Sequence, residues 1–425
     1  MRKITSVLFW VGISSGAMAQ SFAGHAEHQL PLGDEKVLPV PHVEAQPPPV
    51  NPVKISGYLQ TQLEYGQKEA TLKVGTANAD KTRSFNRLGV RRGRIKLRYK
   101  QGIGTAVFQV DMTEKGVGLK DAYIGVQEPW LDVLSLKMGV FNRPFGYEIE
   151  YSSSYRESPE RARIFQTLFP EERDLGVMLS LKGPPSSFLQ FVKLDAGLFA
   201  GNGIKKETDN RKDFIGHLSA YPCGEGQWEC AVGFSYYRGS VYQGSPVVYT
   251  MGKEGFLREE ASAHMGDFAK REYFGMDLQL YFFGQAGMAK ITAEYLFGRQ
   301  PGTQSNSYSP NASVLPAHET YLRNFKGGYL QLVYQWNAFP LGLVLKYDGY
   351  DPNTQVKGQG LGQGYTAAGD VAYQTYGGGL YWKMNAQVKL TAYYDYVTNE
   401  TSSALDGFGA DKKDNGLTLR LQYKF

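Results

Sequence analysis

From residue 53 onward, apolar and polar side chains change places at every second position in runs of about ten residues. That is the period of an extended strand, not of a helix. The runs predict strands at 53–65, 85–100, 104–112, 118–127, 132–141, 173–182, 188–200, 212–221, 229–238, 271–283, 286–298, 326–337, 340–350, 372–383, 387–397 and 415–425. Phe274, Met276, Leu278, Leu280 and Phe282 share one face of their strand. Leu417, Leu419, Leu421, Tyr423 and Phe425 share one face of the last. The most charged run is 86–100, NRLGVRRGRIKLRYK, where Arg92, Arg94, Lys96, Arg98 and Lys100 fall on one face and Ile95, Leu97 and Tyr99 on the other. By the same parity Arg87 and Arg91 fall on the apolar face and are expected at the level of lipid headgroups. Lys137 and Lys193 are expected to point inward.

The connections alternate in length. Those at 101–103, 128–131, 284–285, 338–339 and 384–386 are tight, whereas 66–84, 142–172, 239–270, 299–325, 351–371 and 398–415 are long. Strands of about ten residues, an even count, tight turns at one end and long loops at the other predict an all-β protein. The expected architecture is a 16-stranded antiparallel transmembrane β-barrel with short periplasmic turns and long extracellular loops. The apolar face then meets lipid and the cationic face of 92–100 lines water. Asp111 and Asp121, on the next two strands, are the expected partners of that row. If they neutralise it fully, the row stiffens the wall instead of serving a solute.

Composition supports this layout. Gly (50), Tyr (29) and Phe (23) are abundant, and mean hydropathy is −0.37. Past residue 20 there is no apolar run of the roughly 18 residues a spanning helix needs. Residues 1–19 carry Arg2 and Lys3, an apolar centre and Ala17-Met18-Ala19, the pattern of a secretory signal peptide. Residues 20–52 are polar and proline-rich, an expected periplasmic lead-in, and the barrel occupies 53–425. The net charge of +5 falls to +3 without the leader, so no nucleic-acid partner is expected. His25, His28 and His42 in the lead-in lack the companions of a metal site, and no metal or cofactor is expected. Cys223 and Cys230 bracket a turn and could close a small disulfide loop in an oxidising compartment. No P-loop, G-x-S-x-G or H-E-x-x-H is present and no catalytic residue is assigned, so the chain is not expected to be an enzyme.

A series of short motifs in the N-terminal half resembles the phosphate-selective porin O and P family. They are 91–97 (RRGRIKL), 119–125 (LKDAYIG), 136–148 (LKMGVFNRPFGYE), Ser152-Ser153, Glu160-Arg161 and 173–177 (RDLGV). The resemblance implies a trimeric bacterial outer-membrane porin, in contact with lipid and lipopolysaccharide, whose third loop folds inward to narrow the pore. Here that loop is 142–172. It also implies passive diffusion of small anions, with phosphate or polyphosphate the named solute. Arg92, Arg94, Lys96, Arg98 and Lys100 would form a ladder, joined by Lys137 on the wall and by Arg143, Arg161 and Arg163 on the loop, which also offers Arg156. Glu148, Glu150, Glu157 and Glu160 lie among those loop arginines. A general or weakly selective nutrient porin, or a surface barrel that binds a partner through its loops, is the alternative.

Overall fold

The computed structural model describes residues 53–184, 187–223 and 226–425. The expected leader (1–19) and proline-rich segment (20–52) lie outside the described residues. The chain forms strands β1 (Val53–Gly66), β2 (Phe85–Gln101), β3 (Gly104–Thr113), β4 (Gly116–Gln127) and β5 (Leu134–Asn142). A short helix α1 (Arg163–Leu168) interrupts them, followed by β6 (Arg173–Lys182), β7 (Val192–Phe199), β8 (Asp213–Cys223), β9 (Trp228–Tyr242), β10 (Val247–Met251) and β11 (Phe256–Glu260). The last seven are β12 (Phe268–Phe283), β13 (Gly287–Gly302), β14 (Thr320–Trp336), β15 (Leu341–Asp351), β16 (Tyr373–Lys383), β17 (Val388–Asn399) and β18 (Gly416–Lys424).

Sixteen of these strands close a barrel. Each pairs antiparallel with its neighbour, and β1 pairs with both β2 and β18. Closure leaves no sheet edge, which is the condition for a β-structure to sit in hydrocarbon. β10 and β11 are a hairpin inside the loop between β9 and β12, and β10 lies parallel to the start of β14. The sequence pattern placed a plain loop over 239–270. β9, β12, β13 and β14 also run past their expected outer ends, to Tyr242, from Phe268, to Gly302 and from Thr320. There the ladder continues beyond the apolar band, so hydropathy alone under-measures it. The tight turn between β2 and β3 rests on Gly102 at φ +55°, a conformation a side chain would strain.

Alternation along the strands sets the outer wall. Leu59 and Leu63 are exposed while Gln60 and Gln62 are buried inside. An aromatic girdle marks the outer headgroup level. Phe214, Tyr236, Phe274 and Phe297 follow one another at ring separations of 6.4, 5.1 and 5.4 Å. Tyr347, Tyr376 and Tyr396 continue it at 5.2 and 6.4 Å. A second girdle at the periplasmic end includes Trp228 with Phe282, Tyr334 with Trp336, and Tyr423 with Phe425. Such belts place rings at the two membrane–water boundaries. The closed, girdled wall is that of a transmembrane β-barrel.

The lumen is not wholly aqueous. The loop after β5 enters it and builds an apolar core there: Phe145, Ile149, Ile164, Phe165 and Phe169 pack on Phe199, Tyr237, Tyr273, Phe325 and Tyr329 of the wall. Each fully buried side chain of this size contributes about 1.5–3 kcal/mol, so the loop is a fixed part of the barrel.

Candidate functional site

The site is the narrowed lumen between the inserted loop, residues 143–172, and the cationic wall. Four glutamates, Glu294 on the wall and Glu148, Glu157 and Glu160 on the loop, tie the loop to the wall, beside uncharged contacts such as Gln60 and Gln422 donating to the Ser153 and Ser154 carbonyls. Glu294 of β13 accepts the amides of Tyr147 (3.0 Å) and Glu148 (2.5 Å) and the Tyr329 hydroxyl (2.9 Å). The turn can approach so closely because Gly146 sits at φ +62°, where a Cβ would lie 2.0 Å from the Glu294 carboxylate. Glu148 meets Lys346 of β15 at 2.6 Å, and Glu157 meets Lys290 of β13 at 3.0 Å.

The fourth contact is the densest. Glu160 accepts from Arg91 (2.9 Å), Arg92 (2.9 Å) and Arg420 (2.7 Å). Burial would raise this carboxyl, but Arg91, Arg92 and Arg420 hold it well below the usual carboxylate range. Arg91 was expected on the lipid face, and its position here corrects that expectation. A β-bulge shifts the β1–β2 register between Gln60 and Thr61, so Gln60 faces Arg92 and Thr61 faces Val90. Arg91 is the extra residue and turns inward with Arg92. A second bulge, in β4, makes Lys120 the extra residue, and its ammonium interacts with Glu172 of the loop. Arg87, also expected on the lipid face, stands opposite the buried Glu64 while Leu88 points outward, so the β2 bulge turns it to the inner face at the outer end of β2, where it donates to the Thr76 carbonyl of the first loop at 2.9 Å.

Among the ladder residues, Arg92 and Arg94 are buried and engaged. Arg94 pairs with Asp111 at 3.1 Å and reaches the Ser153 hydroxyl at 3.2 Å. Asp121, the other expected partner, pairs with Arg173 at 3.0 Å and also acts electrostatically on Lys96 of the row. Lower down, Lys96 and Arg98 line a recess of about 90 Å³ with Lys54 and Lys424. Its remaining polar groups include Tyr58, Gln109, Ser152, Ser154 and Tyr155, and no carboxylate is among its lining residues. Lys100 is exposed beside the periplasmic turn. Lys137 lies over the rings of Tyr123 (5.0 Å) and Phe141 (5.1 Å), and Lys193 pairs with Asp195 at 2.5 Å.

Arg143 and Arg161 are used within the loop, whereas Arg163 reaches the wall. Arg143 donates to the Pro170 carbonyl at 3.1 Å and lies over Phe169. Arg161 donates to the carbonyls of Glu148, Ile149 and Tyr151 and to the Glu172 carboxylate. Arg163 lies 4.1 Å over the ring of Tyr373. Arg156 differs: it is 4 % exposed, yet its Nε and Nη2 have no hydrogen-bond partner within the protein. Arg91, Lys120 and Arg420 stood outside the expected lining. The cysteines lie far from the constriction: the backbones of Cys223 and Cys230 oppose one another across β8 and β9, and Cys230 is disulfide-bonded. Among the described residues there is no His, Cys, Asp and Glu cluster able to hold a metal.

No protein-family model matches the chain, and no curated protein matches it by sequence. Solved structures do match. The outer membrane channel DcaP of Acinetobacter baumannii is similar with a TM-score of 0.53 at 13 % identity, over 88 % of this chain and 97 % of that one. OmpF of Salmonella typhi, in a complex with daunomycin, gives 0.52 at 11 % identity over 88 % and 97 %. A loop-deletion form of OmpT, an outer membrane protein of Vibrio cholerae, gives 0.51 at 10 % identity over 88 % and 99 %. At these identities the likeness is one of fold, and that fold is the porin barrel of the outer membrane.

Proposed function

We propose that the protein is an outer-membrane porin that passes small anions by diffusion and assembles as a trimer. The observation that carries the anion preference is the recess formed by Lys54, Lys96, Arg98 and Lys424, four cations with hydroxyls between them and no carboxylate among the lining residues. Fixed cations in a narrow aqueous passage raise the local concentration of anions and lower their barrier to entry. Arg98 and the unpartnered nitrogens of Arg156 suit oxyanions, because a guanidinium presents paired donors in one plane. Neighbouring sites of similar strength let a solute pass from one to the next instead of being trapped. Phosphate or polyphosphate is the solute that the sequence resemblance names. The channel fold of DcaP supports the diffusive reading.

A weakly selective nutrient porin is the second reading. It is favoured by the engagement of Arg91 and Arg92 by Glu160 and of Arg94 by Asp111, which lowers the positive charge that the upper part of the ladder presents to a solute. Single-channel recording of the purified protein in a KCl gradient separates the two. Anion preference predicts a reversal potential of the chloride sign and a chloride current reduced by added phosphate. A cation-selective potential overturns the proposal.

A further inference from the structure

Two recesses open on the outer wall at the level of the extracellular girdle. One, of about 1050 Å³, runs over β12 to β17, and Met276, Tyr295, Leu330 and Tyr347 of its lining are exposed, outward-facing side chains. The other, of about 570 Å³, lies over β12 to β14. They are contiguous, since both are lined by Tyr295 and Lys326.

The larger recess follows from the register. Tyr295, Gly328, Gly349 and Gln374 stand side by side across the outward face of β13 to β16. The next row toward the membrane centre is Ala293, Leu330, Tyr347 and Tyr376. Two adjacent glycines therefore leave a trough in the girdle, bordered by rings and Leu330. Strand packing demands the first of them: a Cβ at Gly328 would lie 2.1 Å from the Glu294 carbonyl oxygen. It does not demand the second. A Cβ at Gly349 would have the Tyr347 hydroxyl, the far end of a flexible side chain, as its nearest neighbour at 3.2 Å. The missing side chain at 349 keeps the trough open.

Beyond the girdle the wall becomes cationic. Lys270, Arg299 and Lys326 line the smaller recess with one carboxylate, Glu272. That carboxylate is engaged by Lys270 at 2.7 Å and by the Tyr236 hydroxyl at 2.8 Å. Arg299 and Lys326 are exposed and form no ion pair among the described residues. On the far rim Lys357 stands with Asp351 and Glu400, whose oxygens accept the amides of Asn353 and Gly358. Cations just outside a girdle sit among headgroups and attract anionic ones. Inside hydrocarbon there is no hydrophobic gain to be had, so an acyl chain is held by close packing into a concave surface. We infer that the two recesses form one site for an acyl lipid of the outer leaflet whose headgroup carries phosphate. Its chain lies in the Gly328–Gly349 trough. Its phosphate meets Arg299 and Lys326, where the guanidinium offers paired donors in one plane. The site faces the membrane and is independent of what the lumen conducts.

The test is native mass spectrometry of the purified barrel in a mild detergent, with bisphosphorylated lipid A added at one fixed concentration. Heat-modifiable migration on gels checks that each variant is folded. The wild type is expected to retain the lipid, and to retain its dephosphorylated form several-fold less. Gly349→Leu, which fills the trough, should lower retention several-fold. Arg299→Gln with Lys326→Gln should lower it about fivefold for each cation removed. Gly378→Leu is the control: this outward glycine of β16 lies outside both recesses, and a Cβ there would make an ordinary contact with Leu345 at 3.4 Å. Its retention should match the wild type. Equal retention by the wild type and folded Gly349→Leu overturns the proposal. So does equal retention of the two lipid forms, or a loss in Gly378→Leu as large as that in Gly349→Leu.

Discussion

Replacing Glu160 by Gln removes one negative charge and keeps the shape. In the native protein that carboxylate neutralises one of three guanidiniums at 2.7–2.9 Å, so the cluster carries a net +2. The variant carries +3. The loop stays inserted, because Glu294, the Glu148–Lys346 and Glu157–Lys290 pairs and the aromatic core all remain. Losing a partner from a buried ion pair costs about 3–5 kcal/mol, so thermal stability falls while the barrel persists. The extra charge acts on the solute. A monovalent anion about 5 Å away gains about 0.8 kcal/mol in a water-like dielectric and about 3 kcal/mol at an effective dielectric of about 20. The lower figure alone is about a fourfold change in anion occupancy. The assay is the reversal potential of single channels in a KCl gradient near 0.1 M, repeated near 1 M. Anion-to-cation permeability should rise at least several-fold at low salt. Most of the gain should vanish at high salt, where the screening length is about 3 Å. An unchanged reversal potential at low salt in a folded channel would refute the placement of this cluster beside the solute path.

Lys96→Gln with Arg98→Gln removes two of the four cations of the recess and should reduce anion preference several-fold and weaken phosphate block of chloride current; unaltered block in bilayer recordings would exclude the recess as a solute site. Glu294→Leu strands the amides of Tyr147 and Glu148 and the Tyr329 hydroxyl at about 1–3 kcal/mol per group. The expected result is a noisier channel of higher conductance, read directly in single-channel traces. Phe165→Ala opens a cavity in the lumen core at about 3–5 kcal/mol, lowering the thermal midpoint in calorimetry without changing ion selectivity. Glu160 and Glu172 are both held well below the usual carboxylate range, since Arg91, Arg92 and Arg420, and Arg161 and Arg173, outweigh burial. A depressed folded-state pKa gives stability that is present above the unfolded value and lost as pH falls through the folded one. Conductance should therefore hold from pH 7 down past the ordinary glutamate pKa of about 4.3, and change only in stronger acid.

Strand positions were legible because parity assigns each side chain a face without knowledge of its partner. Lys96, Arg98 and Lys137 followed that rule. Arg91 did not: a bulge inserts one residue and inverts the parity on one side of it, and nothing in RRGR marks which arginine is the extra one. Lys120 escaped for the same reason. The destination of loop 143–172 was readable only through the family resemblance. Its apolar residues Phe145, Phe165 and Phe169 carry no sign of whether they bury against a lumen or a membrane. The loop's mixed charges were visible, but their pairing was not. Glu160 reaches Arg420, 260 positions away, and local sequence holds no trace of that distance.

That pairing divides the wall's cations into two tiers with different dependence on salt. Arg91, Arg92, Arg420, Lys290 and Lys346 are committed to the loop's glutamates, and the side chain of each is largely buried. Pairs so little exposed are weakly screened, so ionic strength leaves the shape of the constriction unchanged. Lys96, Arg98, Lys54 and Lys424 border open recess, and their pull on a passing anion is screened like that of any wetted charge. Pore size and pore selectivity should therefore separate experimentally. Raising KCl should erode the reversal potential while exclusion of uncharged sugars of graded size stays constant. If sugar exclusion changed together with selectivity, the ion pairs of the upper tier would be open to salt, and they, more than the aromatic core, would set the width of the constriction.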